Sequence, residues 1–334
     1  MYKIFVFLKN ALLCSVFRNI ANMISRRLLR IKILQILYAH FNAEGSGIVK
    51  SEKDLVFSIQ KAYDLYYYLL LLMIAIKRHA ESRIELARNK KLPTYEDMHP
   101  NTRFVENEAI KQIEENTAFN QQLAERKMSW ITHPELIKNL YNKLIDSPYY
   151  QNYMERDVCS FSDDRQLLVD FYTNELENYE MFYDILEEQS IFWNDDIEFV
   201  VIMVIKTIKE MRSGKMGLLP LYKSDDDREF AFRLLRTSIV HHDEYRKLIE
   251  GYVDNWDIER VAYIDNLIMQ MAINELIEFP SIPVKVTFDE YLELAKYYST
   301  PKSSVFINGL LDKISADLTQ KGKVAKTGRG LITD

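Results

Sequence analysis

Glycine and proline are scarce in this chain, 9 and 8 among 334 residues. Both disrupt helices, glycine through its backbone freedom and proline through its missing N–H. Their scarcity, beside many Leu, Ile, Glu and Lys, predicts long helices. Cysteine is nearly absent, with Cys14 and Cys159 alone. Two distant cysteines give neither a disulfide framework nor zinc-ligand spacing, and they suit a reducing cytoplasm. A membrane span needs ~20 apolar residues. The segment LYYYLLLLMIAI at 65–76 falls short of that and reads as a buried helix. No stretch alternates as a strand does, and no unit repeats at a fixed period. Gly-rich phosphate loops, GxSxG and HExxH are missing.

What is present is charge asymmetry. Residues 1–43 hold Lys3, Lys9, Arg18, Arg26, Arg27, Arg30 and Lys32 and no acid, a charge of +7 that leaves −13 for the remainder of a chain totalling −6. The tail is basic again at Lys321, Lys323, Lys326 and Arg329. Residues 1–22 look somewhat like a signal peptide, but Lys9 and Asn10 interrupt the apolar run and no small-x-small site follows. Leu13 is too large to precede a lipidated Cys14. The first 22 residues are read as an upstream extension, with translation starting at Met23.

The stretch SRRLLRIKILQILYAHF, 25–41, reads as the first helix. At ~100° per residue, Arg26, Arg27 and Arg30 share one arc, and Leu34, Leu37 and Phe41 continue the same side as an apolar one. Buried arginines without partners are costly, so the charged end is expected to project from the fold. Tyr38 lies about three turns beyond Arg27 in similar phase. Guanidinium forks suit phosphates and an aromatic ring offers a stacking platform, so this helix is a candidate RNA contact. Further helices are expected at 52–88 (capped by Ser51 and Asp54), 102–126, 134–146, 162–189, 195–212, 225–240, 242–253, 257–278, 286–298 and 302–319, with a loop at 94–101. The cluster His241-His242-Asp243-Glu244 is the best metal candidate, yet adjacent histidines diverge by ~100° on a helix. It is read as a solvated helix start. No cofactor and no catalytic set is expected.

The C-terminal third carries a denser pattern. It runs Trp256, Ile258-Glu259-Arg260, Asp265, Ala272-Ile273-Asn274-Glu275-Leu276, Ile282-Pro283-Val284-Lys285-Val286, Asp289-Glu290, Leu294-Ala295-Lys296 and Phe306-Ile307-Asn308-Gly309-Leu310-Leu311-Asp312. In order and spacing these elements resemble the NusB family of bacterial RNA-binding antitermination factors. The arginine-rich first helix, with Gln35, Leu37 and Tyr38, and the stretch 230–249 are similar to the family as well. Met269-Gln270 and Val305 depart from its common Leu-Arg and basic residue, for which Lys302 and the basic tail are expected to compensate. Glu275 and Lys296 are candidates for a partly buried ion pair. Gly309 inside a helical run implies close approach of a partner helix or ligand.

The resemblance implies an all-α, NusB-like bundle enlarged by a helical insertion. Its parts are the extension 1–22, a first helix 25–43, the insertion 44–224, a core 225–319 and a basic flexible tail 320–334. It implies a non-catalytic, cytoplasmic factor without a membrane role. Such a factor binds single-stranded boxA-type RNA with the ribosomal protein NusE, within an antitermination complex on RNA polymerase during ribosomal RNA synthesis. The implied RNA residues are Arg26, Arg27, Arg30, Lys32, Gln35, Tyr38, Lys302, Ser303, Phe306 and Asn308, with Asp265 on the NusE side. An alternative is a non-catalytic subunit or relic of a ribosomal RNA cytosine methyltransferase. That enzyme needs a Gly-rich cofactor loop and a Pro-Cys pair, whereas Cys159 follows Val158. A helical protein-interaction scaffold is a third reading.

Overall fold

The computed structural model describes residues 26–331 apart from 44, 46, 223 and 254–261. The extension 1–22, Cys14, and the motif residues Trp256, Ile258, Glu259 and Arg260 lie outside the described residues. Fifteen α-helices and no strand occur among those described. The fold is all-α. It divides into two compact units, one of Gln60–Leu221 and one joining Ile24–Ile59 to Tyr222–Asp334. The whole of Gln60–Leu221 falls within the stretch 44–224 expected to be an insertion.

The discontinuous unit contains α1 (Arg26–Asn42), the first turns of α2 (Ile48–Arg88), α11 (Asp225–Val240), α12 (His242–Glu250), α13 (Tyr263–Glu278), α14 (Val284–Tyr298) and α15 (Pro301–Gln320). Helix α13 is buried on every side from Leu267 to Leu276, the mark of a central helix. Helices α11, α12, α14 and α15 all pack on it, and α1 packs on both α11 and α13. Asp225, Asp226 and Asp227 fill the first turn of α11, where carboxylates oppose the positive end of the helix dipole. Thr300 caps α15 by accepting from the Ser303 N–H, and Pro301 occupies its first turn.

Several boundaries differ from the sequence expectation. Helix α2 begins at Ile48, because the Gly47 carbonyl already accepts from Lys50 and Ser51. Ser51 is therefore interior and buried, and its hydroxyl lies 2.7 Å from His40 Nδ1 instead of capping. The expected 102–126 helix is two, α4 (Glu108–Glu114) and α5 (Thr117–Arg126), capped by Asn107 and Asn116. The expected 162–189 helix is also two. Ser160 opens α8 (Phe161–Asn174) with a capping box to Asp163, and α9 (Glu180–Gln189) follows a break holding Asn178 at φ 55°. The loop 94–101 contains the single turn α3 (Tyr95–Met98). Between α6 (Pro134–Asp146) and α8 stands α7 (Pro148–Glu155), started by Ser147-Pro148 and absent from the sequence reading. Helix α10 (Ile197–Glu210) completes the Gln60–Leu221 unit.

The tail is attached as far as Leu331. Lys326 Nζ donates to the Leu276 and Phe279 carbonyls at 3.0 and 3.1 Å, closing the C-terminal end of α13. Thr327 N–H donates to the Pro280 carbonyl. A Cβ at Gly330 would stand 2.0 Å from that same carbonyl oxygen, so only glycine fits. Helix α2 is long and apolar enough to cross a membrane, but 72% of its most apolar stretch is buried in the fold.

Candidate nucleic-acid interface

The arginines of α1 do not project. Arg26 Nε donates to Asp227 Oδ1 at 2.8 Å, and its guanidinium lies over the Phe230 ring, 4.9 Å from the centroid. Arg27 forks onto Glu290 at 2.9 and 2.8 Å. Arg30 is 2% exposed and forks onto Glu275 with two bonds of 2.8 Å, while Nη1 reaches Glu290 at 3.5 Å. Thr287 and Tyr291 hydroxyls donate to the same Glu275 carboxylate at 2.9 and 3.1 Å. Lys32 is buried too. Burial opposes the charge on Arg30, but Glu275 beside it more than offsets this and the pKa rises. Burial pushes the Glu290 carboxyl up, and the bonds and charges of Arg27 and Arg30 outweigh it, so its pKa falls.

This corrects the expectation of a free basic helix end. The arc shared by the three arginines faces α11, α13 and α14, whose acids lie some 200 or more positions away in the chain. Arg27, Arg30 and Lys32 are engaged in the interior or at its margin, leaving Arg26 as the most accessible arginine, with 37% of its side chain exposed. The proposed Glu275–Lys296 pair is absent as well. Lys296 bonds Glu293 at 2.7 Å.

The later turns of α1 are open on one side. Tyr38 is 48% exposed and meets Tyr263 edge-on, with centroids 5.7 Å apart. Gln35 Nε2 donates to the Tyr298 hydroxyl at 3.1 Å. Tyr298 ends α14, and the next few residues turn into α15. That bond therefore places the face of α1 bearing Tyr38 beside the start of α15. Lys302 and Phe306 are exposed there, and Asn308 is half-buried. Ser303 is not a surface residue. It is buried, with its hydroxyl 2.9 Å from both Ser299 Oγ and Thr300 Oγ1 inside the cap. A Cβ at Gly309 would meet nothing within 4 Å, so no helix of the described chain approaches it and its face is open. Tyr263 and Tyr298 escaped the sequence reading, although both lie within the family-like stretch.

Asp265 is 4% exposed in the first turn of α13, with no hydrogen-bond partner for Oδ1 among the described residues. A direct surface contact through this side chain is therefore not available in the conformation seen. The basic tail is partly spent. Lys326 is turned into the fold, where burial pushes its pKa down, and Lys321 bonds Asp317 at 2.6 Å. The histidine cluster forms no metal site. His241 Nδ1 pairs with Glu244 at 3.0 Å while His242 stacks on Phe41, 3.8 Å between centroids. No group of three or more His, Cys, Asp or Glu able to hold a metal occurs among the described residues.

Residues 204–316 match the NusB family. The chain is 45% identical over 114 residues to the transcription antitermination protein NusB of Salinibacter ruber, 34% of this chain and 71% of that protein. It is 38% identical over 105 residues to the NusB of Chloroherpeton thalassium, 31% of this chain and 50% of that one. With the NusB of Thermodesulfovibrio yellowstonii it shares 41% identity over 95 residues, 28% and 63% of the two chains. The chain thus spans less than two thirds of the latter two proteins. No solved structure matches. The central helix α13, the acids that hold the α1 arginines, and Phe306 and Asn308 of α15 all fall inside the matched span, and on a relative covered over 71% of its length this chain belongs to the NusB family.

Proposed function

We propose that this protein is a cytoplasmic, non-catalytic transcription antitermination factor that binds single-stranded boxA-type RNA together with the ribosomal protein NusE. The observation that carries this is the Gln35–Tyr298 bond. It joins an exposed aromatic on α1, Tyr38, to an exposed cation and aromatic on α15, Lys302 and Phe306, as one surface. Unstacked bases need aromatic faces and their phosphates need cations. Tyr38 and Phe306 contact bases, Lys302 and Arg26 meet phosphates, and Gln35 and Asn308 supply polar contacts. Arg27 and Arg30 act as positioning residues, because their forks hold α1 against α13 and α14. Asp265, in the first turn of α13, marks the NusE side.

The test is binding of a boxA-type single-stranded RNA, with and without NusE, across a salt series. Tyr38→Ala and Phe306→Ala should each weaken binding by about 1–3 kcal/mol with the fold intact by circular dichroism. Lys302→Ala should lower the salt slope by about one. RNA binding that ignores the Tyr38 and Phe306 double substitution, or no binding even with NusE, refutes the assignment.

A further inference from the structure

Tyr38 and Tyr263 meet where α1 packs on the start of α13. Tyr263 is the first residue of α13 and is 43% exposed, close to the 48% of Tyr38. The ring centroids stand 5.7 Å apart and the ring planes cross at 65°. Such an edge-to-face pair holds two rings more firmly than area burial alone does. Neither hydroxyl hydrogen-bonds a described residue. Burial and the neighbouring Tyr38 raise the Tyr263 pKa and Arg246 lowers it, with a net rise above 10.0. The phenol is therefore neutral at pH 7 and can both donate and accept.

The pair is not needed to hold α1 in place. The Arg30–Glu275 fork and the buried side chains Leu28, Leu29, Ile33 and Leu37 already do that. What the pair adds is a corner of two half-exposed rings, formed before any ligand arrives, so that no ordering cost falls on binding. Planes crossing at 65° cannot both lie against a run of parallel, stacked bases. A single base turned out of its stack fits, since its face can lie on one ring while its edge meets the other. Arg246, whose charge acts on Tyr263, is paired with Glu250 at 2.9 Å. The corner therefore offers aromatic surface and two hydroxyls without net charge. It extends the surface of Phe306, Lys302 and Tyr38 onto α13.

We infer that Tyr38 and Tyr263 form a notch that receives one unstacked base of the bound single-stranded RNA. The inference rests on the RNA-binding reading above. It adds to that reading a residue, Tyr263, and a requirement, that the base at this point be turned away from its neighbours. One ring takes the face of the base, and the other closes its edge, where a neutral hydroxyl can pair with a polar atom of the base.

Anisotropy titrations of the full chain with boxA-type single-stranded RNA test it, using the intact RNA and a set in which each member carries one abasic nucleotide. Tyr263→Ala should weaken binding of the intact RNA about tenfold, with the salt slope and the circular dichroism unchanged. Tyr263→Leu, which keeps apolar bulk for folding, should weaken it as much, and Tyr263→Phe should keep most of the affinity. Loss of one particular base should cost the wild type a similar factor and cost Tyr38→Ala and Tyr263→Ala far less, because both have already lost the notch. Wild-type affinity in Tyr263→Ala and Tyr263→Leu, beside a loss in Tyr38→Ala, overturns the notch and leaves the RNA reading standing. Coupling of the two tyrosines to different bases also overturns it. A loss seen only with NusE present assigns Tyr263 to the protein partner and overturns it too. Absence of RNA binding by the wild type, with and without NusE, refutes the RNA reading and the notch together.

Discussion

Arg30 shows what a single side chain does when its charge is taken out of water. Desolvating an arginine is costly, and the cost is met here only because Glu275 takes both fork hydrogen bonds while Thr287 and Tyr291 satisfy the remaining lone pairs. Removing one partner strands the other. Arg30→Ala should therefore destabilise the protein by about 3–5 kcal/mol, read as a fall in the urea midpoint. Arg27 is partly exposed, so Arg27→Ala should cost nearer ~1 kcal/mol. The pair Arg30→Met with Glu275→Leu should recover most of the loss, since two apolar side chains leave no buried charge. If Arg30→Ala instead leaves stability unchanged and abolishes RNA binding, the arginine contacts RNA directly and its interior role is refuted.

At the scale of helices, the contacts of α1 with α12 and with the start of α2 rest on neutral histidines. His40 Nδ1 lies 2.7 Å from Ser51 Oγ, and His242 stacks on Phe41. Burial, aided for His40 by the charge of His242, pushes both pKa values below 6.5. The folded state then binds fewer protons than the unfolded one between the two pKa values, so stability rises with pH. It is fully present above about 6.5, the unfolded value, and declines as pH falls through the folded ones. The urea midpoint should drop between pH 7.5 and 5, and His40→Gln with His242→Phe should flatten that slope. An unchanged slope in the double variant would remove these two histidines as the cause. How legible such elements were in the sequence depends on range. Local signals sufficed for helix content and for many starts, because Pro134, Pro301 and the aspartates of α11 act on their own helix. Asn107, Asn116 and Asn178 were equally local but were passed over inside apolar patterns. The partners of Arg26, Arg27 and Arg30 could not be read from periodicity, because a wheel shows which residues share a face but not what covers it. Glu275 and Glu290 stood in the family-like motifs, and only the fold brings them to α1.

At the scale of the molecule, charge and tryptophan are both distributed between the units. Gln60–Leu221 holds 19 Lys and Arg against 27 Asp and Glu, a net of −8, while the unit joining Ile24–Ile59 to Tyr222–Asp334 holds 21 Lys and Arg against 22 Asp and Glu, a net of −1. The nearly neutral unit should repel polyanionic RNA far less than the acidic one does. The chain has three tryptophans, and two of them, Trp130 and Trp193, lie in the acidic unit. Trp193 donates from Nε1 to the Lys61 carbonyl at 2.8 Å and is buried. A Trp256→Phe variant therefore emits from the acidic unit alone. RNA should leave that emission unchanged while still raising the fluorescence anisotropy of a dye on the RNA end. Emission that follows RNA binding would place RNA on the acidic unit and would separate the antitermination reading from the surface of Tyr38, Lys302 and Phe306.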